Sequence, residues 1–209
     1  MHDNNPLEFN TLKRIFALVY FFICFSPFVF SQDLGERIDL SETKAAKGLK
    51  FSICPPKGWL VQEGKNPNVT IEFVDRSSGD SFNVTVTYGS TFISKKEFAK
   101  MEDEIVEAHT KQTKELYDIF LTLDHKMIKI DDYPFIRFTS TGYFNTDATG
   151  LTSCRSVVYI GCIEDLCVTL TGMEFGFSPI LSGKSLLFER VAKSISFYEQ
   201  YDYINTARP

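Results

Sequence analysis

The chain has 209 residues, with 22 Lys plus Arg against 27 Asp plus Glu, and a formal net charge of −5. That negative balance argues against a nucleic-acid or anionic-membrane partner, because neither is attracted by net negative surface. The length suits one domain with a full core and leaves no room for a second of ordinary size.

Residues 1–31 read as an export signal peptide. Lys13 and Arg14 precede an apolar run over 15–30, broken near its end by Ser26 and Pro27. Val29-Phe30-Ser31 fits the small-x-small rule, so cleavage is expected after Ser31 and a periplasmic or secreted location follows. Asp3 and Glu8 balance the two basic residues, so the net charge survives removal. The run is shorter than the about 20 apolar residues a spanning helix needs. Ile23, before Cys24, is too large for a lipid-modified cysteine signal. Residues 32–48 are polar and are expected to form a short helix or ordered N-terminal arm. Residues 49–197 form the domain, and 198–209 a tail carrying Tyr198, Tyr201 and Tyr203.

The domain opens on Phe51-Ser-Ile-Cys-Pro-Pro-Lys-Gly-Trp59. Phe51 and Ile53 share one side of an extended segment, as the two-residue strand period requires. Pro55 and Pro56 end the pairing, since neither offers an N–H to a ladder. Gly58 supplies a left-handed backbone for the turn. Trp59, the only tryptophan, is expected to plug one end of the core with its N–H bonded to a carbonyl.

Two alternating runs, 69–74 and 82–88, flank turn residues 75–80 and read as an antiparallel hairpin. Ser94 and Glu97 then form a capping box. Phe98, Met101, Ile105, His109, Gln112 and Leu116 recur at helical spacing, which predicts one core-facing stripe over about six turns. His109 lies on that stripe near Glu102 and Glu104. Its i±4 neighbours are Ile105 and Thr113, so it has no ligand partner at metal spacing and reads as a packed histidine. His125, beside Asp124 in a strand, has no more support.

Runs at 119–130, 133–143, 151–162 and 166–172 predict a four-strand antiparallel meander, with hinges at Asp131-Asp132, at 145–150 and at Glu164-Asp165. Val157-Val158-Tyr159-Ile160 is apolar on both faces, which a sheet tolerates when each face is covered. A closing helix starting at Ser182 or Ser185 supplies cover through Leu186, Leu187, Val191 and Ile195.

The order of these elements, with Phe51-Ser-Ile-x-Pro-Pro-x-Gly-Trp59 in front and Lys193-Ser-Ile-Ser-Phe197 behind, resembles the PsbP-like superfamily. That family includes the extrinsic subunit of the oxygen-evolving complex, a Ran-binding nuclear import factor and many exported bacterial proteins. The resemblance implies an α+β fold: an antiparallel sheet of about six to seven strands sandwiched by helices. It also implies a non-enzymatic binding or assembly role. No functional residue of those relatives falls on this chain, and likeness of fold does not decide function.

Three features of the sequence could carry chemistry. Ser182-Gly183-Lys184-Ser185 ends like a phosphate loop, but Ser178 stands where that loop needs glycine, followed by Pro179. Asn145, Asp147 and Thr149 precede Gly150 as oxygen ligands do in a calcium loop. Ser156 replaces the bidentate glutamate there, and a hairpin tip explains the same residues. The cysteines of the exported chain allow three pairings. A two-residue turn at Glu164-Asp165 sets Cys162 against Cys167, leaving Cys54 and Cys154 as the other pair, and export makes oxidation plausible. No Cys-x-x-Cys motif supports redox catalysis. The sequons at Asn68 and Asn83 fall in predicted strands and are discounted.

With no Gly-x-Ser-x-Gly, His-Glu-x-x-His or paired acid/base motif, the leading expectation is an exported non-catalytic module with a protein partner and no cofactor. A carrier of a small ligand or of calcium comes second, and a hydrolase third.

Overall fold

A computed structural model describes residues 33–89, 91–146, 150–176 and 184–198. The expected leader with Ser31, and the tail beyond Tyr198, lie outside the described residues. Seven strands form one antiparallel sheet: β3 (Leu60–Gln62), β4 (Val69–Val74), β5 (Ser81–Tyr88), β6 (Ile119–Ile130), β7 (Tyr133–Thr146), β8 (Gly150–Ile163) and β9 (Leu166–Phe175). Their order is β3-β4-β5-β9-β8-β7-β6. The predicted hairpin and meander are therefore both present, and β9 turns back to close on β5. A second sheet joins β1 (Ile38–Asp39), β2 (Phe51–Ile53) and β10 (Ser196–Phe197), with β2 in the middle.

Three helices complete the described fold: α1 (Lys95–Lys100), α2 (Glu102–Leu116) and α3 (Lys184–Lys193). The chain leaves β5 and must reach β6, four strand spacings or about 19 Å away. A helix of α2's length spans about 22 Å, enough for that crossing. The expected capping box is formed, with Ser94 Oγ accepting from Glu97 N at 3.3 Å and Glu97 Oε2 accepting from Ser94 N at 3.0 Å.

Alternation along the strands builds two cores. On one face Phe73, Phe82, Val84, Val86, Phe135, Val157, Tyr159 and Leu170 meet Leu187, Phe188 and Val191 of α3, together with Phe51 and Ile53 of the small sheet and Leu49 just before it. Phe188 lies flat on the sheet because position 172 is glycine; a Cβ there would stand 2.5 Å from its ring. On the other face Ile136, Phe138 and Val158 meet Phe98 of α1, with Ile105 and Val106 of α2 half-buried beside them. Both faces of the Val157-Val158-Tyr159 run are thus covered, as expected.

Several expectations need correction. The helix predicted as one unit breaks at Met101, and its buried line runs through Phe98, Thr113 and Tyr117, leaving Gln112 and Leu116 exposed. Steps of four residues win over steps of three in the second half, rotating the stripe by one position. In α3 the same rotation exposes Leu186 and buries Phe188 and Ala192. Phe51–Ile53 is the central strand of the small sheet, and the arm is ordered, contributing β1 and a 3-10 turn at Lys44–Ala46. Gly58 has φ +83° and Trp59 is 8% exposed, edge-on to Phe188 at 6.3 Å. The Trp59 Nε1 atom, however, has no hydrogen-bond partner among the described residues. Pro55 and Pro56 end β2, yet the pairing continues through proline carbonyls, with Gly35 N donating to Pro55 O at 2.7 Å and Leu34 bridging Pro56.

Candidate functional site

The β4–β5 turn and the start of α3 assemble a cluster of charge, buried at Asp80 and half-buried at Asp75 and Lys184, that sequence reading missed. Asp75 Oδ1 accepts from Ser77 N at 3.0 Å and from Ser77 Oγ at 2.6 Å, which sets the turn. Asp80, almost fully buried, accepts from Phe175 N at 2.8 Å and from Ser78 Oγ at 2.6 Å. Lys184 Nζ closes the cluster by pairing with Asp80 and, at 3.2 Å, with Asp75. It also stands 5.7 Å from the Trp59 ring. Burial opposes the Lys184 charge, but hydrogen bonds and charge from Asp80 and Asp75 override it and raise its pKa. Burial likewise works to raise Asp75, and hydrogen bonds from Ser77, Lys184 and Ser78 outweigh it and lower the carboxyl well below its usual range. A lysine so held stays charged, with its ammonium directed at the two carboxylates. It locks α3 to the sheet, and Lys184 of the phosphate-loop-like motif is engaged by carboxylates instead. Ser182 and Gly183 of that motif lie outside the described residues.

Beside this lock, Arg155 Nη1 meets Glu174 Oε2 at 3.4 Å, and Arg137 Nη1 meets Glu189 Oε2 of α3 at 3.1 Å. Tyr159 pairs with Arg137 across β7 and β8. Its hydroxyl and Arg137 Nε are buried without a hydrogen-bond partner among the described residues. Burial, and then the Glu189 charge, push the Tyr159 phenol upward.

Asn145 N donates to Asp118 Oδ2 at 2.6 Å, tying the β7–β8 hairpin to the entry of β6. Asp147 and Thr149, the other expected calcium ligands, lie outside the described residues. Among the described residues no three His, Cys, Asp or Glu side chains gather as a metal set.

His109 and His125, which the sequence places in unrelated elements, approach the same ring. Their centroids lie 4.1 Å and 6.2 Å from Phe138. His109 is packed as expected, and burial lowers its pKa.

All four described cysteines are free thiols, so neither expected bridge is present. For Cys54 with Cys154 the pairing itself is wrong. Cys54 follows β2 in the layer over the α3 face, where its N–H donates to Ser194 Oγ at 2.9 Å. Cys154 faces the opposite side of the large sheet, beneath Tyr117, with its pKa pushed up to about 11 by burial. The sheet separates them. Tyr117 Oη there bonds Ser140 Oγ at 3.1 Å and Ser156 Oγ at 3.3 Å, a hydroxyl cluster with no sequence signal. Cys162 and Cys167 do stand opposite one another in register, as expected from the turn.

The surface offers one further feature. Leu116, Ile119 and Leu121 are 65%, 43% and 50% exposed and lie within six residues, where α2 hands over to β6. β6 is an outer strand of the sheet, and its register slips between Phe120 and Thr122, leaving Leu121 unpaired in a bulge. Exposed Asp124, Lys126 and Lys129 further along guard the edge against sheet-to-sheet growth.

No family model matches the chain, and no curated protein matches it. Among solved structures it is similar to the solution structure of cyanobacterial PsbP (CyanoP) from Synechocystis sp. PCC 6803. The TM-score is 0.51 at 12% identity, over 80% of this chain and 94% of that chain. A crystal structure from Bacteroides thetaiotaomicron VPI-5482 matches at TM-score 0.47 and 14% identity, over 73% of this chain and 46% of that one. The chain thus has a PsbP-like α+β fold, as the flanking motifs suggested. No helix among the described residues is long and apolar enough to cross a membrane.

Proposed function

We propose that this chain is an exported, non-catalytic accessory module that acts by binding another protein in the envelope or extracellular space. The observation that carries this reading is the strip Leu116, Ile119 and Leu121, large apolar side chains left in solvent at a bulged sheet edge. Large apolar side chains left in solvent at the end of a sheet edge are surface that a partner can cover. The charge clusters on the α3 face support the same view, since Lys184, Arg137 and Arg155 are paired with carboxylates of the fold. The test is a photo-crosslinking residue at position 121 in the exporting host. A single discrete adduct that disappears in the Ile119→Lys variant supports the proposal. No adduct, combined with turnover of a defined substrate by the purified chain, overturns it.

A second reading, a small-ligand carrier, is favoured by the Tyr159 hydroxyl and Trp59 Nε1, buried without a hydrogen-bond partner among the described residues. Buried polar atoms ordinarily have partners, and a ligand or ordered water supplies them when the protein does not. Native mass spectra of protein taken from its own host separate the readings: a bound species of constant mass supports the carrier, and bare protein counts against it.

A further inference from the structure

The neck of the β8–β9 hairpin brings together two thiols that the partner-binding reading does not use. Glu164 and Asp165 form its two-residue turn, Ile163 pairs with Leu166, and Cys162 pairs with Cys167. The pair flanking such a turn is hydrogen-bonded, so the next is the non-hydrogen-bonded kind, with Cα atoms about 4.5 Å apart. That separation is within the range a disulfide spans. Both side chains are half-buried, not sealed.

The two thiols differ in surroundings. Cys162 packs against the cluster of Phe98, Ile136 and Val158, an apolar setting that disfavours a thiolate. Cys167 lies one strand nearer β5, where Thr87 pairs with it across the strands. Hydroxyls of Thr169, two residues along β9, and of Thr87 bear on its sulfur. Hydroxyl donors stabilise the charged form of the group they face. The Cys162 thiol, then Thr169 and Thr87, accordingly lower the Cys167 pKa against the effect of burial, while contact with Cys167 and burial raise that of Cys162.

We propose that Cys162 and Cys167 form a thiol–disulfide exchange site in which Cys167 attacks a small-molecule disulfide and Cys162 resolves the adduct. In the first step the Cys167 thiolate forms an S–S bond to one sulfur of the substrate, and the other sulfur leaves as a thiolate that takes up a proton. In the second step Cys162 loses its proton and attacks the Cys167 sulfur, releasing the remaining substrate sulfur as a second thiol. The substrate disulfide is reduced by two electrons, and the protein dithiol is oxidised by two. The turn of this neck is already tied to the main chain after β5, where Gly89 N donates to Asp165 O at 2.6 Å and Ile93 N to Glu164 O at 3.0 Å.

The test uses the purified chain, reduced and freed of reductant, with oxidised glutathione as probe. Peptide mapping is expected to find a Cys162–Cys167 disulfide, an intact mass lower by two hydrogens, and two glutathione thiols released. Cys162→Ser is expected to stall with one glutathione on Cys167. Cys167→Ser is expected to react at Cys162 about tenfold more slowly, because the thiolate is the nucleophile. Far-ultraviolet circular dichroism shows whether each variant is folded, and the wild-type mapping stands without them. Equal rates for the two single variants, preferential reaction at Cys54, or thiols that react only in denaturant would each overturn the assignment. None of these outcomes bears on the strip at Leu121, so the partner-binding proposal stands or falls separately.

Discussion

On the α3 face of the large sheet Phe51, Phe73, Phe82, Phe135, Tyr159 and Phe188 are all fully buried, whereas the α2 face buries Phe98, Ile136, Phe138 and Val158 and leaves much of α2 in water. The first face also carries the Lys184 lock and the Arg137–Glu189 pair. The second is fixed by weaker contacts, the Tyr117 hydroxyl cluster and histidine–phenylalanine packing. One sheet therefore has a stability-bearing side and a side whose helix is held lightly. The exposed apolar residues lie where α2 meets the outer strand β6, and the thiol pair lies on the central strands β8 and β9, with Cys162 packed into the lighter side.

The largest test of that contrast is truncation on each side. Phe188→Ala is expected to lower unfolding free energy by about 3–5 kcal/mol, the range for a buried Phe. Ile105→Ala, half-buried on α2, is expected to lose about 1 kcal/mol, because only part of its apolar area leaves water on folding. Denaturant titrations giving equal losses would break the comparison.

Next in size is the lock. Lys184→Met leaves the Asp80 carboxylate buried without its cation, and removal of one partner from such a pair costs about 3 kcal/mol. Lys193, more than half exposed in its pair with Glu189, provides the control. Lys193→Met is expected to change stability by no more than about 0.5 kcal/mol.

Acid sharpens the difference further, since each face carries its own titrating group. His109 has a lowered pKa in the fold, so the unfolded chain binds its proton first and stability declines as pH falls below the ordinary value of 6.5. Asp75 has a lowered carboxyl pKa, so its contribution is complete above 3.8 and is lost as pH falls through the folded value below that. Melting temperature against pH should therefore show two declines. His109→Phe is expected to abolish only the upper one; loss of both would mean that the two faces are coupled.

The smallest effect is expected at the hairpin neck. Glu164 sits at φ 58°, a left-handed backbone that costs a residue with a Cβ about 1 kcal/mol. Glu164→Gly relieves this and is expected to raise stability by about 0.5 kcal/mol after the entropic penalty of glycine. A loss instead would show that the Glu164 side chain contributes a contact stronger than the strain.

Much of this architecture was legible because it is written in local chemistry. Alternation over 69–74 and 119–130 gave strands with the bounds observed, and Ser94 with Glu97 gave the start of α1. The stripe of α2 is rotated by one position from its expected line, since Gln112 and Thr113 satisfy helical spacing equally and only burial in the fold selects Thr113. The Lys184 cluster left no pattern to read, because Asp75 and Asp80 are over a hundred residues from the lysine that joins them.

What the sequence determined alone was periodicity, turns and caps, which depend on neighbours along the chain: the hairpins, the helix start, and the register that faces Cys162 with Cys167. Which face each strand presents to which helix, and therefore that Cys54 and Cys154 are kept apart by the sheet, was decided only in three dimensions. Local rules fix how a strand alternates, but the layer that covers each side is chosen by long-range packing, where apolar area, charge and volume have to be satisfied together.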